Sequence, residues 1–159
     1  MIQAIKDWAL AIGVALLVWF AISSTRNPDL PEQAPDFTLA SIEGGEVQLS
    51  KLQGKTVVLN FWATWCGPCH SEIPTFSKFA DSNPDIVVLG IATDGDPSEL
   101  RTAKQEMGIS YTVLRTDPET YKAYDISVIP TTVVVGPDGS VEDVHVGVMS
   151  AKQLERATR

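Results

Sequence analysis

The 159-residue sequence predicts an α/β domain, a mixed sheet covered by helices on both faces. Three observations predict it. Two nearly continuous apolar runs, Thr56–Trp62 (TVVLNFW) and Ile86–Ile91 (IVVLGI), read as strands buried on both faces. Helix signals follow each run, which is the alternation that parallel strands require. Near the C-terminus, Thr131–Val135 and Val141–Val146 flank Pro137-Asp138-Gly139, the chemistry of an antiparallel hairpin.

The remaining elements follow in chain order. From Trp8 to Ser24 there is no charged residue, and these 17 positions make roughly 25 Å of helix, at the short end of a bilayer span. Trp8 and Trp19 stand where interfacial aromatics would. A cleaved signal peptide and a buried core helix compete with an anchor. The apolar stretch is long for a signal peptide, and large Trp19 and Phe20 precede the weak small-residue site Ala21-Ile22-Ser23. The expected division is a short tail at 1–7, one transmembrane helix at 8–24, a tether at 25–34 and the folded domain at 35–159. Thr25–Pro35 carries three prolines and no apolar period, as an extended tether would. With a short tail left in the cytoplasm, the domain lies outside it, anchored by a single pass to the cytoplasmic (inner) membrane. There, or in the periplasm, a dithiol must be kept reduced actively.

Within the domain, Phe37–Leu39 and Glu46–Ser50 around Gly44-Gly45 suggest a small N-terminal β-hairpin. After the first buried strand, a helix runs from the cysteine region to about Ala80. Asp96-Pro97-Ser98-Glu99 starts another, which Gly108 closes. Thr112–Arg115 is a short strand, and Asp117-Pro118-Glu119 starts a helix through about Tyr124. Ser150-Ala151-Lys152-Gln153 has the form of a capping box for a terminal helix. A net charge of −8 without basic clusters argues against nucleic acid as a partner.

Both cysteines lie in WATWCGPCH, Trp62–His70, at the turn between a central strand and its helix. The pattern has three readings: half a zinc site, a c-type haem attachment, or a redox dithiol. Zinc wants about four ligands, and the chain offers no second cysteine pair. Haem attachment matches Cys66-x-x-Cys69-His70 letter for letter. It also needs a distal ligand, for which Met107 or Met149 could be named, and an apolar envelope that the α/β pattern does not suggest. The dithiol reading uses more of the residues. A helix N-terminus stabilises a thiolate on Cys66, Gly67 lets a partner backbone approach, and Pro68 needs no N–H partner in the first turn. Cys66 is then the attacking thiol and Cys69, three residues on, the resolving one. His70 reads as an exposed residue of the first helical turn.

NFWATWCGPC resembles the active-site signature of thioredoxin-fold proteins, and VIPTTVVVGPDG (Val128–Gly139) their proline-containing strand. APDFTL, LQGKTVVLNFWATWCGPC, EIP, YDISVIPTT and HVGVMS, in that order from Ala34 to Ser150, are similar to the TlpA/ResA-like membrane-anchored thiol-disulfide oxidoreductases of the redoxin superfamily. The resemblance implies a thioredoxin-like fold with the N-terminal hairpin and a central αβ insertion around Asp96–Arg115. It implies a cis-proline at Pro130 against the disulfide, and pairing of the Ile129 backbone with an extended substrate. Glu72 matches an acidic residue kept near the active site, with a role in proton handling or thiol tuning; the alternative is a solvated first-turn acid. Asn60 departs from plain thioredoxin, which has a buried aspartate there. Deprotonation of Cys69 then falls to Glu72, water or another group. Trp62 and Trp65 also match, Trp62 as core and Trp65 as cover for the active-site surface.

The implied activity is protein thiol-disulfide exchange without cofactor or metal. The Gly-Pro pair between the cysteines resembles the reducing end of the family. Implied partners are disulfide-bearing proteins, apocytochrome c among them, a membrane electron donor of the DsbD/CcdA type, and the lipid bilayer; a monomer is expected. Cytochrome c maturation and periplasmic thiol homeostasis are the processes implied. The rival readings are a redoxin-superfamily thiol peroxidase and a non-catalytic binding module whose disulfide is a structural staple.

Overall fold

A computed structural model describes residues 12–17 and 28–159. Tail, most of the expected anchor and the first tether residues lie outside the described residues. Inside the anchor stretch, 12–17 are helical, with Ile12, Val14, Leu16 and Leu17 exposed. Among the described residues, no helix is long and apolar enough to cross a membrane.

The domain is built on a five-stranded sheet of order β5-β4-β3-β6-β7. Its strands are β3 (Val57–Trp62), β4 (Val87–Ala92), β5 (Thr112–Arg115), β6 (Thr131–Val135) and β7 (Val141–Val146). The first three run parallel; β6 and β7 are antiparallel to their neighbours. A separate hairpin, β1 (Thr38–Ala40) with β2 (Glu46–Gln48), precedes them, one residue later in its first strand than the sequence suggests. A 3₁₀ turn, Leu49–Leu52, leads into β3. The helices are α1 (Gly67–Ser82), α2 (Pro97–Glu106), α3 (Pro118–Ala123) and α4 (Ala151–Ala157).

Every residue of β3 is buried, as a central strand with two covered faces requires. Val58 and Trp62 point into a core with Ile73 and Phe76 of α1, Leu100 of α2 and Leu154 of α4. Val57, Leu59 and Phe61 point the other way, toward Phe37, Leu39, Leu49, Tyr124 and Ile126. The hairpin and α3 therefore cover one face and the three other helices the opposite one. Starts are set by local chemistry. Asp96 accepts from the Ser98 and Glu99 amides, and the Glu99 carboxylate accepts from the Asp96 N–H at 2.9 Å, a reciprocal capping box. Asp117 caps α3 through the Thr120 amide at 2.6 Å. Gly108 ends the second helix with φ of 64°, the left-handed turn that glycine adopts without strain. Pro74 sits inside α1, which continues to Ser82, two residues beyond the expected end.

Candidate active site

Cys66 is the N-cap of α1, and Gly67 and Pro68 are its first two residues. Cys66 and Cys69 are joined by a disulfide, with Cα atoms 5.3 Å apart. The Cys69 amide donates to Cys66 Sγ at 3.2 Å, so one of the orphan N–H groups of the helix start is aimed at that sulfur. Both cysteines are buried, while Trp65 beside them is 73% exposed. From Trp65 a groove runs past Thr93, Thr116 and Pro118 to Tyr121. Val128 and Val148 are likewise exposed.

The loop before the helix is clasped by residues that the sequence reading did not connect. Asp94, two residues beyond β4, accepts from the Thr64 N–H at 2.9 Å and from its hydroxyl. The Thr64 carbonyl accepts from His70 Nε2 at 2.8 Å. His70 is exposed, as expected, and its Nε2 helps to hold the loop. Among the described residues, no three His, Cys, Asp or Glu side chains converge on a metal position.

Ile129–Pro130 is a cis peptide. The Pro130 carbonyl accepts from the Gly147 N–H at 2.8 Å, tying the start of β6 to the end of β7. Ile129 packs against the core that contains both cysteines.

Glu72 lies one helical turn beyond Cys69, on the same face. The solvated-acid alternative is corrected here: Glu72 is in the second turn of α1 and only 1% exposed. Its carboxylate accepts from Asn60 Nδ2 at 2.7 Å and from the Met149 N–H at 2.8 Å. Burial pushes the carboxyl above its ordinary value, against the pull of those two donors and the charge of His145. Asn60 thus supplies a proton donor to the carboxylate rather than an acid of its own, and its second amide proton points to Thr132 Oγ1 at 3.5 Å. Its Oδ1, the Trp62 indole N–H and the Tyr111 hydroxyl are buried without a partner among the described residues. Tyr111 lies over Gly90 beside Trp62: a Cβ at Gly90 would meet the two rings at 2.9 and 3.1 Å. An asparagine and a glycine inside otherwise apolar strands were the legible signals of this polar row.

The AhpC/TSA family profile matches residues 30–144. The thioredoxin-like protein YneN of Bacillus subtilis is 30% identical over 164 aligned residues, covering 96% of each chain. The thiol-disulfide oxidoreductase ResA of the same species is 34% identical over 126, covering 76% of this chain and 69% of ResA. The crystal structure of a thioredoxin-family thiol:disulfide interchange protein from Chlorobium tepidum superposes with a TM-score of 0.73 at 31% identity, covering 80% and 94%.

Proposed function

The chain belongs to the AhpC/TSA family, and from that premise we propose how its dithiol works and on what. It is a thiol-disulfide oxidoreductase of the thioredoxin fold, acting on disulfide-bearing protein substrates through Cys66 and Cys69. The observation that carries the mechanism is the bonded pair at the start of α1, with a helix amide on Cys66 Sγ.

In the reduced protein, the Cys66 thiolate attacks one sulfur of a substrate disulfide. A mixed disulfide forms and the first substrate thiolate leaves. Cys69 gives its proton to the Glu72 carboxylate and attacks Cys66 Sγ, which releases the second substrate thiolate and closes the internal disulfide. Two electrons pass to the substrate. Asn60 and the Met149 amide hold Glu72 in place for that proton. Trp65, Gly67 and Pro68 form the contact surface, and the Ile129 backbone beside cis-Pro130 pairs with the extended substrate.

The direction is reduction of substrate, supported by the Gly-Pro pair. The domain works outside the cytoplasm, on a single-pass anchor in the cytoplasmic membrane. The uncharged stretch 8–24 supports that placement, as do the exposed apolar side chains within 12–17, which a core helix would bury. Re-reduction comes from a membrane thiol donor of the DsbD/CcdA type, and apocytochrome c is one client.

Titration of the pair in glutathione buffers tests the reading. A potential nearer to about −270 mV than to about −120 mV is expected, and one below about −300 mV would mark a structural staple. A Cys69→Ala variant should collect client proteins on Cys66 as mixed disulfides. Peroxide consumption without a thiol-protein substrate would instead favour the peroxidase reading.

A further inference from the structure

We infer that His145 is a positioning residue for Glu72, acting through the single peptide group that joins Val148 to Met149. The inference rests on the proposed role of Glu72 as the proton acceptor for Cys69. Both polar atoms of that peptide are used, on opposite sides. Its carbonyl oxygen, on Val148, accepts from His145 Nε2 at 3.2 Å. Its N–H, on Met149, donates to Glu72 Oε2 at 2.8 Å. A hydrogen bond to a carbonyl polarises the peptide and strengthens the bond that its N–H donates. The imidazole therefore influences the carboxylate without touching it.

The strand register puts these groups in line. Asn60 of β3 stands opposite Thr132 of β6, and Thr132 opposite His145 of β7. Directly opposed residues share a face, so the three form one polar row beneath α1. Asn60 and Thr132 are fully buried, whereas His145 is half-buried and lines a solvent groove with Glu142, Asp143, Met149, Gln153 and Arg156. The row thus leads from the amide that holds the Glu72 carboxylate to a half-buried imidazole on the edge strand.

Glu142 and Asp143 of β7 and Arg156 of α4 share the groove with His145. On the buried side, Tyr111 faces Glu72, and burial pushes its hydroxyl well above the working range. Among these, His145 is the group that holds the Val148 carbonyl. As a cation it binds Val148 O more strongly and favours ionised Glu72, which places the Glu72 limb of the exchange profile at lower pH. The charge of His145 pulling the Glu72 carboxyl down has the same sign.

The test uses the full chain, reduced, with oxidised glutathione as the probe, and follows the exchange rate against pH. His145→Phe removes the donor and the charge; the Glu72 limb is expected to move up by roughly half a pH unit or more. His145→Gln, which keeps an N–H for Val148 O, should recover part of that shift. In a Glu72→Gln background, His145→Phe should move nothing. Coupling is reciprocal, so the NMR titration midpoint of the His145 ring in the oxidised protein should fall in Glu72→Gln by a similar amount. A Glu72 limb that is present in wild type, abolished by Glu72→Gln and unmoved by His145→Phe would overturn the inference and leave the Glu72 reading standing. A profile unchanged by Glu72→Gln overturns that reading instead. The ring titration needs no catalysis and still decides the peptide link: an unshifted midpoint refutes it.

Discussion

Replacing Asn60 by aspartate, the residue plain thioredoxin carries there, should be far more damaging than the loss of one amide. Asn60 is fully buried and its Nδ2 donates to Glu72 Oε1 at 2.7 Å. Asn60→Asp removes that donor and sets a second carboxylate in its place. Two buried carboxylates at contact distance cannot both ionise, so the folded protein must retain a proton that the unfolded chain releases. The sign follows directly. A native state that binds the extra proton loses stability as pH rises above the ordinary carboxyl range. One retained proton is worth about 1.4 kcal/mol per pH unit, which sets a ceiling of about 4 kcal/mol between about pH 5 and pH 8. Wild-type Glu72 loses a smaller part of this, because two N–H donors stabilise its ionised form. Urea unfolding of the oxidised protein across that pH range measures the difference. Adding Glu72→Gln leaves one carboxylate beside an amide and should remove most of the slope. Parallel pH dependences for Asn60→Asp and wild type, or no relief in the double variant, would refute the reasoning.

Three further outcomes follow from the same geometry. Because burial raises the Glu72 carboxyl, its contribution to stability is complete at acid pH and is lost as pH rises through the folded-state value. Glu72→Gln should therefore flatten the stability–pH curve of the oxidised protein. It should fold, since Asn60 Oδ1 has no partner among the described residues and can turn to accept from the new amide. Gly90→Ala would push a Cβ to 2.9 Å from the Tyr111 ring and 3.1 Å from the Trp62 indole, at a cost of about 1–3 kcal/mol in chemical denaturation. Trp65→Ala, at a 73% exposed position, should change stability by less than about 0.5 kcal/mol. The same variant should slow exchange with a protein disulfide more than exchange with oxidised glutathione, measured by competition.

Much of this fold was legible because its elements announce themselves locally. The apolar run of β3, the Asp-Pro starts of α2 and α3 and the Pro-Asp-Gly turn are each decided within a few residues, and the expected strands Thr131–Val135 and Val141–Val146 match the observed ones end to end. The cysteine pair was legible for the same reason, since its spacing and its helix start are both local. Glu72 shows where that legibility stops. Its position three residues after Cys69 is visible in the sequence; its burial depends on Met149 and Asn60, which lie 77 and 12 residues away. A carboxyl in the second turn of a helix looks like a surface acid until the loop after β7 closes over it. His70 shows the same limit at the surface. Its exposure in the first helical turn was expected from the sequence, and only the folded loop shows its ring nitrogen bonded to the Thr64 carbonyl. The two residues share a cause: charge and hydrogen-bonding capacity are written in the sequence, but which partner uses them is set by contacts between distant segments. The cysteine pair is therefore set locally, while the buried carboxylate one turn beyond it is held by the assembled sheet. A substitution in β6, in β7 or at Met149 can alter the pH dependence of exchange without touching either cysteine.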